Sequence, residues 1–340
     1  MGKLYPRLPV STGLLLSYRC NIKCDHCIYA CSPKWKNSWI SEADAKTILT
    51  QLSTIFSKTC TLRMPYVSFN YGLHLTGGEP FLNFKLLVRI TEIAKELDIP
   101  SILVETNCFW AREDESASKK IIKLREAGLD GILISINPFN VKYIPFERLE
   151  RAVRISREIF GINAIVYQEF FFNVLKEIKL ENKITYDEYL IKIQKSNIYR
   201  YIELLPMGRA AYALKHLYNK YPASYFFSES CKEELTRGWH THIDNYCNYI
   251  PGFCAGISLG DARSLQSIFE GIDLEQRPIL KALSNKIEDL YEIGKYFGYK
   301  DNAQGYVSKC HLCLDIRRYL VKKTEEFYEL NPKEYYLNFS

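Results

Sequence analysis

Short apolar runs alternate with longer segments whose apolar residues fall three or four apart along the first two thirds of the chain, the trace that strands and amphipathic helices leave in a sequence. Residues 12–19, 66–75, 101–105, 131–136, 163–167 and 201–205 read as strands. Between the first two, Ser41 caps an acidic first turn with Glu42 and Asp44, and Ala45, Ile48, Leu49 and Leu52 continue the helix. Leu87, Ile90, Ile93, Ala94 and Leu97 line one face of a second helix, and residues 116–127, 146–159 and 186–194 predict three more. Such alternation implies parallel strands joined by right-handed helical crossovers, in an α/β barrel or an open doubly wound sheet. In both, the strand-to-helix loops gather at the carboxyl ends of the strands, and chemistry is expected there. Near residue 221 the alternation fades and cysteines reappear, so a boundary is expected between a core of residues 1–220 and a cysteine-rich region of residues 221–340.

Composition narrows the class. The 340 residues are 47% hydrophobic and 25% charged, an ordinary globular balance. No stretch of about 20 apolar residues is present and the first residues lack a signal-peptide core, which predicts a cytoplasmic protein with no membrane partner. A net charge of +6 is mild, and basic residues are interleaved with acidic ones, as in residues 176–183; this argues against a nucleic-acid groove. Eleven cysteines, an odd number, point away from a disulfide framework and toward metal or reactive thiols. The 25 tyrosines would suit an aromatic substrate channel.

The chemistry concentrates in Cys20, Cys24 and Cys27, crowded into eight residues just after the first predicted strand. Structural zinc sites usually gather their ligands as two separated pairs, and this is a single run. Cys31 follows, and with Cys24, Cys27 and Pro33 it half matches a bacterial ferredoxin run, although the gap between Cys20 and Cys24 does not. If Cys31 closed the site, the cluster would be a sealed electron carrier; if Cys31 stays free, three thiolates leave one iron of a four-iron cluster open.

Cys20-x3-Cys24-x2-Cys27, with His26 before the third cysteine, resembles the signature loop of the radical S-adenosylmethionine (radical SAM) enzymes. The resemblance implies a partial (β/α)6 TIM-like barrel and a 4Fe-4S cluster whose open iron chelates S-adenosylmethionine and cleaves it to a 5'-deoxyadenosyl radical. Gly77-Gly78-Glu79-Pro80 is similar to the family's GGEP motif at the second strand end, where backbone meets the methionyl ammonium and glycine permits the close approach. Thr106-Asn107 resembles the third-strand motif, with Cys108 in place of glycine and read as a buried inert thiol. Ser135 and Asn137 stand where the family places polar groups for ribose or carboxylate, and Gly208 and Arg209 where backbone meets adenine. A turn, plain strand ends and a helix start are the competing readings of these segments.

In the last third, Cys310 and Cys313 form a C-x2-C knuckle, and residues 241–254 read as a hairpin turning near residues 245–248 and ending at Cys254. This looks like the SPASM or shorter twitch region of radical SAM maturases. One auxiliary 4Fe-4S cluster on Cys231, Cys254, Cys310 and Cys313 is expected, with zinc as the rival. Cys247, in the hairpin turn where glycine is usual, is expected to be exposed; it and Cys31 are the two candidate hydrogen donors to a substrate radical, and Cys60 is read as structural. His242 and Asp244 would share a strand face and could orient or deprotonate a substrate, an exposed polar face being the other reading.

By resemblance the substrate is a ribosomally made peptide or protein, modified by epimerisation, cross-linking or a related reaction, with a ferredoxin or flavodoxin as electron donor. The short stretch before the first strand predicts no separate leader-binding domain fused there. The alternatives are radical modification of a small metabolite or nucleoside and, outside catalysis, an iron-sulfur or zinc regulatory module.

Overall fold

A computed structural model describes residues 2–36, 38–62, 64–193 and 204–339. In chain order its strands are β1 (Lys3–Leu4), β2 (Ser11–Leu15), β3 (Gly72–Thr76), β4 (Ile102–Thr106), β5 (Gly131–Ser135), β6 (Ala164–Tyr167), β7 (Thr241–Ile243), β8 (Tyr249–Ile250) and β9 (Ile272–Asp273). The helices between the core strands are α1 (Glu42–Thr59), α2 (Phe84–Glu96), α3 (Asp114–Glu126) and α4 (Phe146–Phe160), followed by α5 (Glu169–Glu177) and α6 (Tyr186–Ile193). The expected α/β architecture is present: β2 to β6 run parallel as consecutive neighbours, in the sheet order β6-β5-β4-β3-β2-β7-β8.

The parallel strands are buried along nearly their whole length, as strands of a helix-covered sheet are. Leu14, Leu15, Leu75, Ile102, Val104, Ile132 and Ile134 are fully buried, and they meet the inner faces of the helices through residues such as Ile48, Leu52, Ile90, Leu124 and Leu149. Helix α1 starts as predicted, with the Ser41 hydroxyl accepting from the Asp44 amide. Burying the five apolar residues of its inner face contributes on the order of 10 kcal/mol before chain entropy is deducted.

Several expectations shift. The strand expected over residues 66–75 is confined to Gly72–Thr76, because residues 66–71 turn: Tyr66 is exposed and Ser68 pairs across to Tyr71. Helix α5 is not evident in the sequence, since three adjacent phenylalanines at 170–172 hide its period; Phe171, Phe172, Val174 and Leu175 form its buried side. Residues 201–203 of the expected sixth strand lie outside the described residues, as does Gln194.

The 241–254 hairpin forms as expected, but β7 also joins the central sheet, parallel to β2 with Thr12 opposite Thr241. The cysteine-rich region thus contributes a strand beside the first barrel strand. A separate two-stranded sheet pairs β1 with β9. Among the described residues no helix is long and apolar enough to cross a membrane.

Candidate functional site

The loop after β2 is held from several sides. Its base pairs Arg19 with Ser32, and Tyr18 stacks on Trp35 at 4.3 Å, closing residues 20–35 into a compact excursion. Arg209, only 1% exposed, donates its guanidinium to the carbonyls of Cys24 (2.6 Å) and Cys31 (2.9 Å), and its amide donates to the Cys27 carbonyl. Gly208 has φ +55°, and a Cβ there would stand 2.4 Å from the Ile28 carbonyl oxygen. Tyr143 and Tyr335 donate to the carbonyls of Lys23 and Ile28. Gly208 and Arg209 therefore brace the cysteine loop, a packing role that the sequence does not reveal.

Cys20, Cys24 and Cys27 line one side of a cavity of about 130 Å³. The other walls are the carboxyl ends of the next three strands, with Gly77 and Gly78 after β3, Glu105 and Asn107 at β4, and Ser135 and Asn137 at β5. His26 lines it too, its Nε2 3.5 Å from Asn137 Nδ2 and its ring against Phe139. Burial pushes the His26 pKa down to about 4, so the ring is neutral. A second cavity of about 510 Å³ shares His26, Cys27, Gly77, Glu105, Ser135 and Asn137 and extends to Phe69, Tyr167, Trp239, His242 and Phe253.

Gly77 and Gly78 are dictated by the chain's own backbone. A Cβ on Gly78 would lie 2.0 Å from the Arg19 carbonyl oxygen, and one on Gly77 2.3 Å from that of Ser17. The amides of Gly78 and Glu79 donate to those same carbonyls, so this turn clasps the start of the cysteine loop. Glu79 is buried and absent from the cavity wall; it accepts from Phe81 N, Thr106 Oγ1 and Asn107 N, tying the β3 and β4 loops together. Burial raises its pKa to about 7 against the pull of these donors. Asn107 in turn reaches Cys20 Sγ at 3.6 Å. Asn137 Oδ1 accepts from the Phe139 and Asn140 amides, which shapes its own turn. Cys108 is buried with φ +61°, holding the backbone conformation that glycine would adopt.

Burial, then the Cys20 and Cys27 charges, push the Cys24 thiol up; burial, then Glu79, does the same to Cys20. Cys27 is instead lowered, chiefly by a hydrogen bond from the Cys31 thiol, to about 6. Ionising all three needs a compensating positive charge at the cavity, which bound iron supplies. Thiolates are the ligands that hold iron-sulfur clusters, and three of them on one cavity wall fit such a cluster.

The two candidate hydrogen donors separate. Cys31 lines the first cavity against Cys27. Cys247 lines neither cavity and, contrary to the expected exposure, is 4% exposed, with φ +65° and its carbonyl bound by the Ala262 amide. The turn needs a positive φ, and packing against residues 261–263 buries the thiol. His242 and Asp244 are buried as well, so the exposed-face reading fails: Asp244 accepts from Tyr18 and Asn248, and only His242 reaches a cavity.

The later cysteines also converge. Cys231 precedes the short helix Lys232–Thr236, Cys254 follows the β8 return, and Cys310 and Cys313 sit in the first two turns of the helix Lys309–Lys323. Burial and then the charges of Cys313, Cys254 and Cys310 raise Cys231; burial, then its cysteine neighbours, raise Cys310 to about 12. Cys254 is pushed up to about 11 by burial, with the Arg317 charge pulling the other way. The helix N-terminus and the buried Arg317 both favour negative charge there. Cys60 donates to the Val10 carbonyl, a structural role.

Glu105 went unremarked in the sequence. It is an acid one residue from a strand end, an inward position where an apolar residue would otherwise pack. It lines both cavities, and burial raises its pKa to about 7.

Comparison with known proteins adds independent detail. Residues 12–139 match the family described as a 4Fe-4S single cluster domain. The chain is 25% identical over 148 residues to YydG of Bacillus subtilis (strain 168), a protein named for peptide biosynthesis, a match spanning 44% of this chain and 42% of YydG. It is 26% identical over 226 residues to the GTP 3',8-cyclase of Limosilactobacillus fermentum (strain NBRC 3956 / LMG 18251), spanning 63% of this chain and 60% of the cyclase. Each match therefore leaves a large part of the relative uncovered. A solved structure of native anSMEcpe with bound AdoMet aligns over 92% of this chain and 96% of that one, at 12% identity and a TM-score of 0.45. The matched residues 12–139 carry Cys20, Cys24 and Cys27 on the first strand-end loop, where the match to a 4Fe-4S domain and the cysteine-lined cavity coincide.

Proposed function

We propose that the chain is a radical SAM enzyme that removes a hydrogen atom from a peptide or protein substrate. The observation that carries this reading is the convergence of Cys20, Cys24 and Cys27 with Gly77, Gly78, Asn107, Ser135 and Asn137 on one cavity opening beside a larger, aromatic one. S-adenosylmethionine bound at a reduced 4Fe-4S cluster supplies the one-electron chemistry needed to break an unactivated C–H bond.

The three loop thiolates hold the cluster in this reading. The strand-end loops after β3, β4 and β5 hold the cofactor, with the turn at Gly77 and Gly78 offering backbone at close range. Glu79 positions Asn107, and Arg209 keeps the cysteine loop in register with the strands. The larger cavity, with Phe69, Tyr167, Trp239 and Phe253, receives the substrate side chain and excludes water. Cys31 lines the first cavity beside Cys27 and is the thiol placed to return a hydrogen atom to a substrate radical, as epimerisation requires; Cys247 lines neither cavity.

Cys231, Cys254, Cys310 and Cys313 hold an auxiliary 4Fe-4S cluster, in a region of residues 221–340 that borders a core of residues 1–220. A ferredoxin or flavodoxin supplies the electron, in the cytoplasm, where thiols stay reduced. The similarity to YydG, named for peptide biosynthesis, supports a peptide substrate.

The test is anaerobic reconstitution with iron and sulfide, reduction, and addition of S-adenosylmethionine with candidate peptides encoded beside the gene, in deuterated water. Formation of 5'-deoxyadenosine together with deuterium in the peptide supports the reading. Deoxyadenosine formed with GTP consumed and every peptide unchanged would transfer the activity to a nucleotide, and no deoxyadenosine from fully loaded protein would favour the regulatory module.

A further inference from the structure

His74 on β3 meets His240 and His242 on the β7 segment across β2, beside the larger cavity that His242 lines. All three imidazoles are buried, and one nitrogen from each lies within 4.8 Å of the others. The Nε2 atoms of His74 and His242 are 3.4 Å apart. The ring centres are separated by 5.0, 4.7 and 5.3 Å. A tetrahedral ion at zinc-to-nitrogen distance keeps its imidazole nitrogens about 3.4 Å apart and the ring centres about 5 Å apart. The cluster is close to that spacing already.

The tautomers of two histidines follow from their neighbours, while His74 Nδ1 has no hydrogen-bond partner among the described residues. His242 Nδ1 lies 2.9 Å from the Gly252 carbonyl oxygen and His240 Nδ1 lies 3.2 Å from that of Phe69. A carbonyl only accepts, so each Nδ1 carries the hydrogen and each Nε2 presents a lone pair. Backbone carbonyls that fix the far nitrogen are what metal-binding histidines ordinarily have. His240 Nε2 has no hydrogen-bond partner among the described residues, and neither has Glu105 Oε1, which lies 3.5 Å from His74 Nε2. A cluster held only by hydrogen bonds would leave these buried atoms unsatisfied. Space has also been made for the rings: a Cβ on Gly13 in the fully buried β2 would stand 2.3 Å from His74 Nε2 and 2.4 Å from His242 Cδ2.

We infer that His74, His240 and His242 bind one divalent transition-metal ion of the zinc class through Nε2, with the Glu105 carboxylate as fourth ligand. Three imidazoles and one carboxylate suit a borderline cation rather than calcium or magnesium. The ion would pin β3 and β4 to the β7 segment at the wall of the larger cavity, where Glu105 and His242 both sit. None of its four ligands is a cysteine, although Glu105 also borders the cysteine-lined cavity, and the site does not depend on the reaction proposed above.

The test loads the full chain, purified anaerobically with its iron, with zinc chloride, removes loose metal on a desalting column, and counts zinc and iron by mass spectrometry. Zinc K-edge absorption then reports the ligands. One zinc per chain with nitrogen and oxygen neighbours at about 2.0–2.1 Å and imidazole scattering is expected. The H240Q/H242Q variant should lose at least about nine tenths of that zinc with iron unchanged, and E105Q should weaken zinc binding at least about tenfold. No retained zinc in the wild type, or a first shell of sulfur at about 2.3 Å, would overturn the inference. Unchanged affinity in E105Q would overturn the four-ligand set. If the double variant does not fold, the wild-type spectrum decides by itself.

Discussion

The two cysteine sites are built in opposite ways. Cys20, Cys24 and Cys27 come from one short loop and face a cavity, so their geometry is set locally and one side is left for a ligand. Cys231, Cys254, Cys310 and Cys313 come from three separate segments and face one another, so their geometry exists only once those segments have packed. A site made by a loop can stay open for chemistry, while a site made by distant segments doubles as a cross-link. The proposed clusters should respond differently to damage for that reason.

The harshest way to break the comparison is to replace Cys20, Cys24 and Cys27 with alanine together. Deoxyadenosine should fall below detection and iron should drop from about eight to about four per chain, with little change in melting temperature. Replacing Cys310 and Cys313 should do the reverse in stability, lowering the melting temperature by several degrees as the cross-link is lost. A triple loop variant that melts as early as the C310A/C313A variant would erase the distinction.

Next in size is Gly78→Ala. Its new methyl group meets the Arg19 carbonyl and forces the cysteine loop and the β3 turn apart, at about 1–3 kcal/mol. Iron at the loop site and deoxyadenosine should both fall while the auxiliary iron persists, as differential iron counting on the cysteine-variant backgrounds would reveal. Arg209→Met removes two charge-assisted bonds to the loop, for about 2–4 kcal/mol, and should have the same selective effect. Equal loss of both irons in either variant would mean the loop is not separately braced.

The smallest effect sharpens the comparison through pH. The Glu79 pKa is raised in the folded chain to about 7, so between about 4.5 and 7 the folded state binds more protons than the unfolded one. Its contribution is complete below that window and is lost as pH rises through it, to about 3 kcal/mol. Denaturant unfolding at pH 5 and pH 8 should show this decline in the wild type and a flatter profile in Glu79→Gln. An identical slope in both would mean that Glu79 titrates normally.

Legibility in the sequence followed distance along the chain. The cysteine loop, the Ser41 cap and the Gly-Gly turn were readable because their partners lie within a few residues or in a recurring strand-end position. The 241–254 hairpin was readable from its alternation and turn. What Gly208, Arg209 and Glu79 touch was not, since their partners Cys24, Ile28, Cys31, Thr106 and Asn107 lie on loops distant in sequence. His74 and Glu105 carried no signal at all, because each looks like an isolated polar residue in a strand until the β7 segment arrives 168 residues after His74. Cys247 was expected to be exposed and is buried, because residues 261–263, one of which binds its carbonyl, lie beyond the hairpin.

Strand β7 lies against β2, with Thr241 and Thr12 bonded side chain to side chain at 3.1 Å. A ribosome delivers these partners 229 residues apart, so for most of its synthesis the chain carries β2 with one edge bare. At about 5–20 residues per second, that interval lasts on the order of 10–50 seconds. During it the bare edge of β2 is a template for stray pairing, and any chaperone or iron-loading factor that attends this protein would have its best-defined target there.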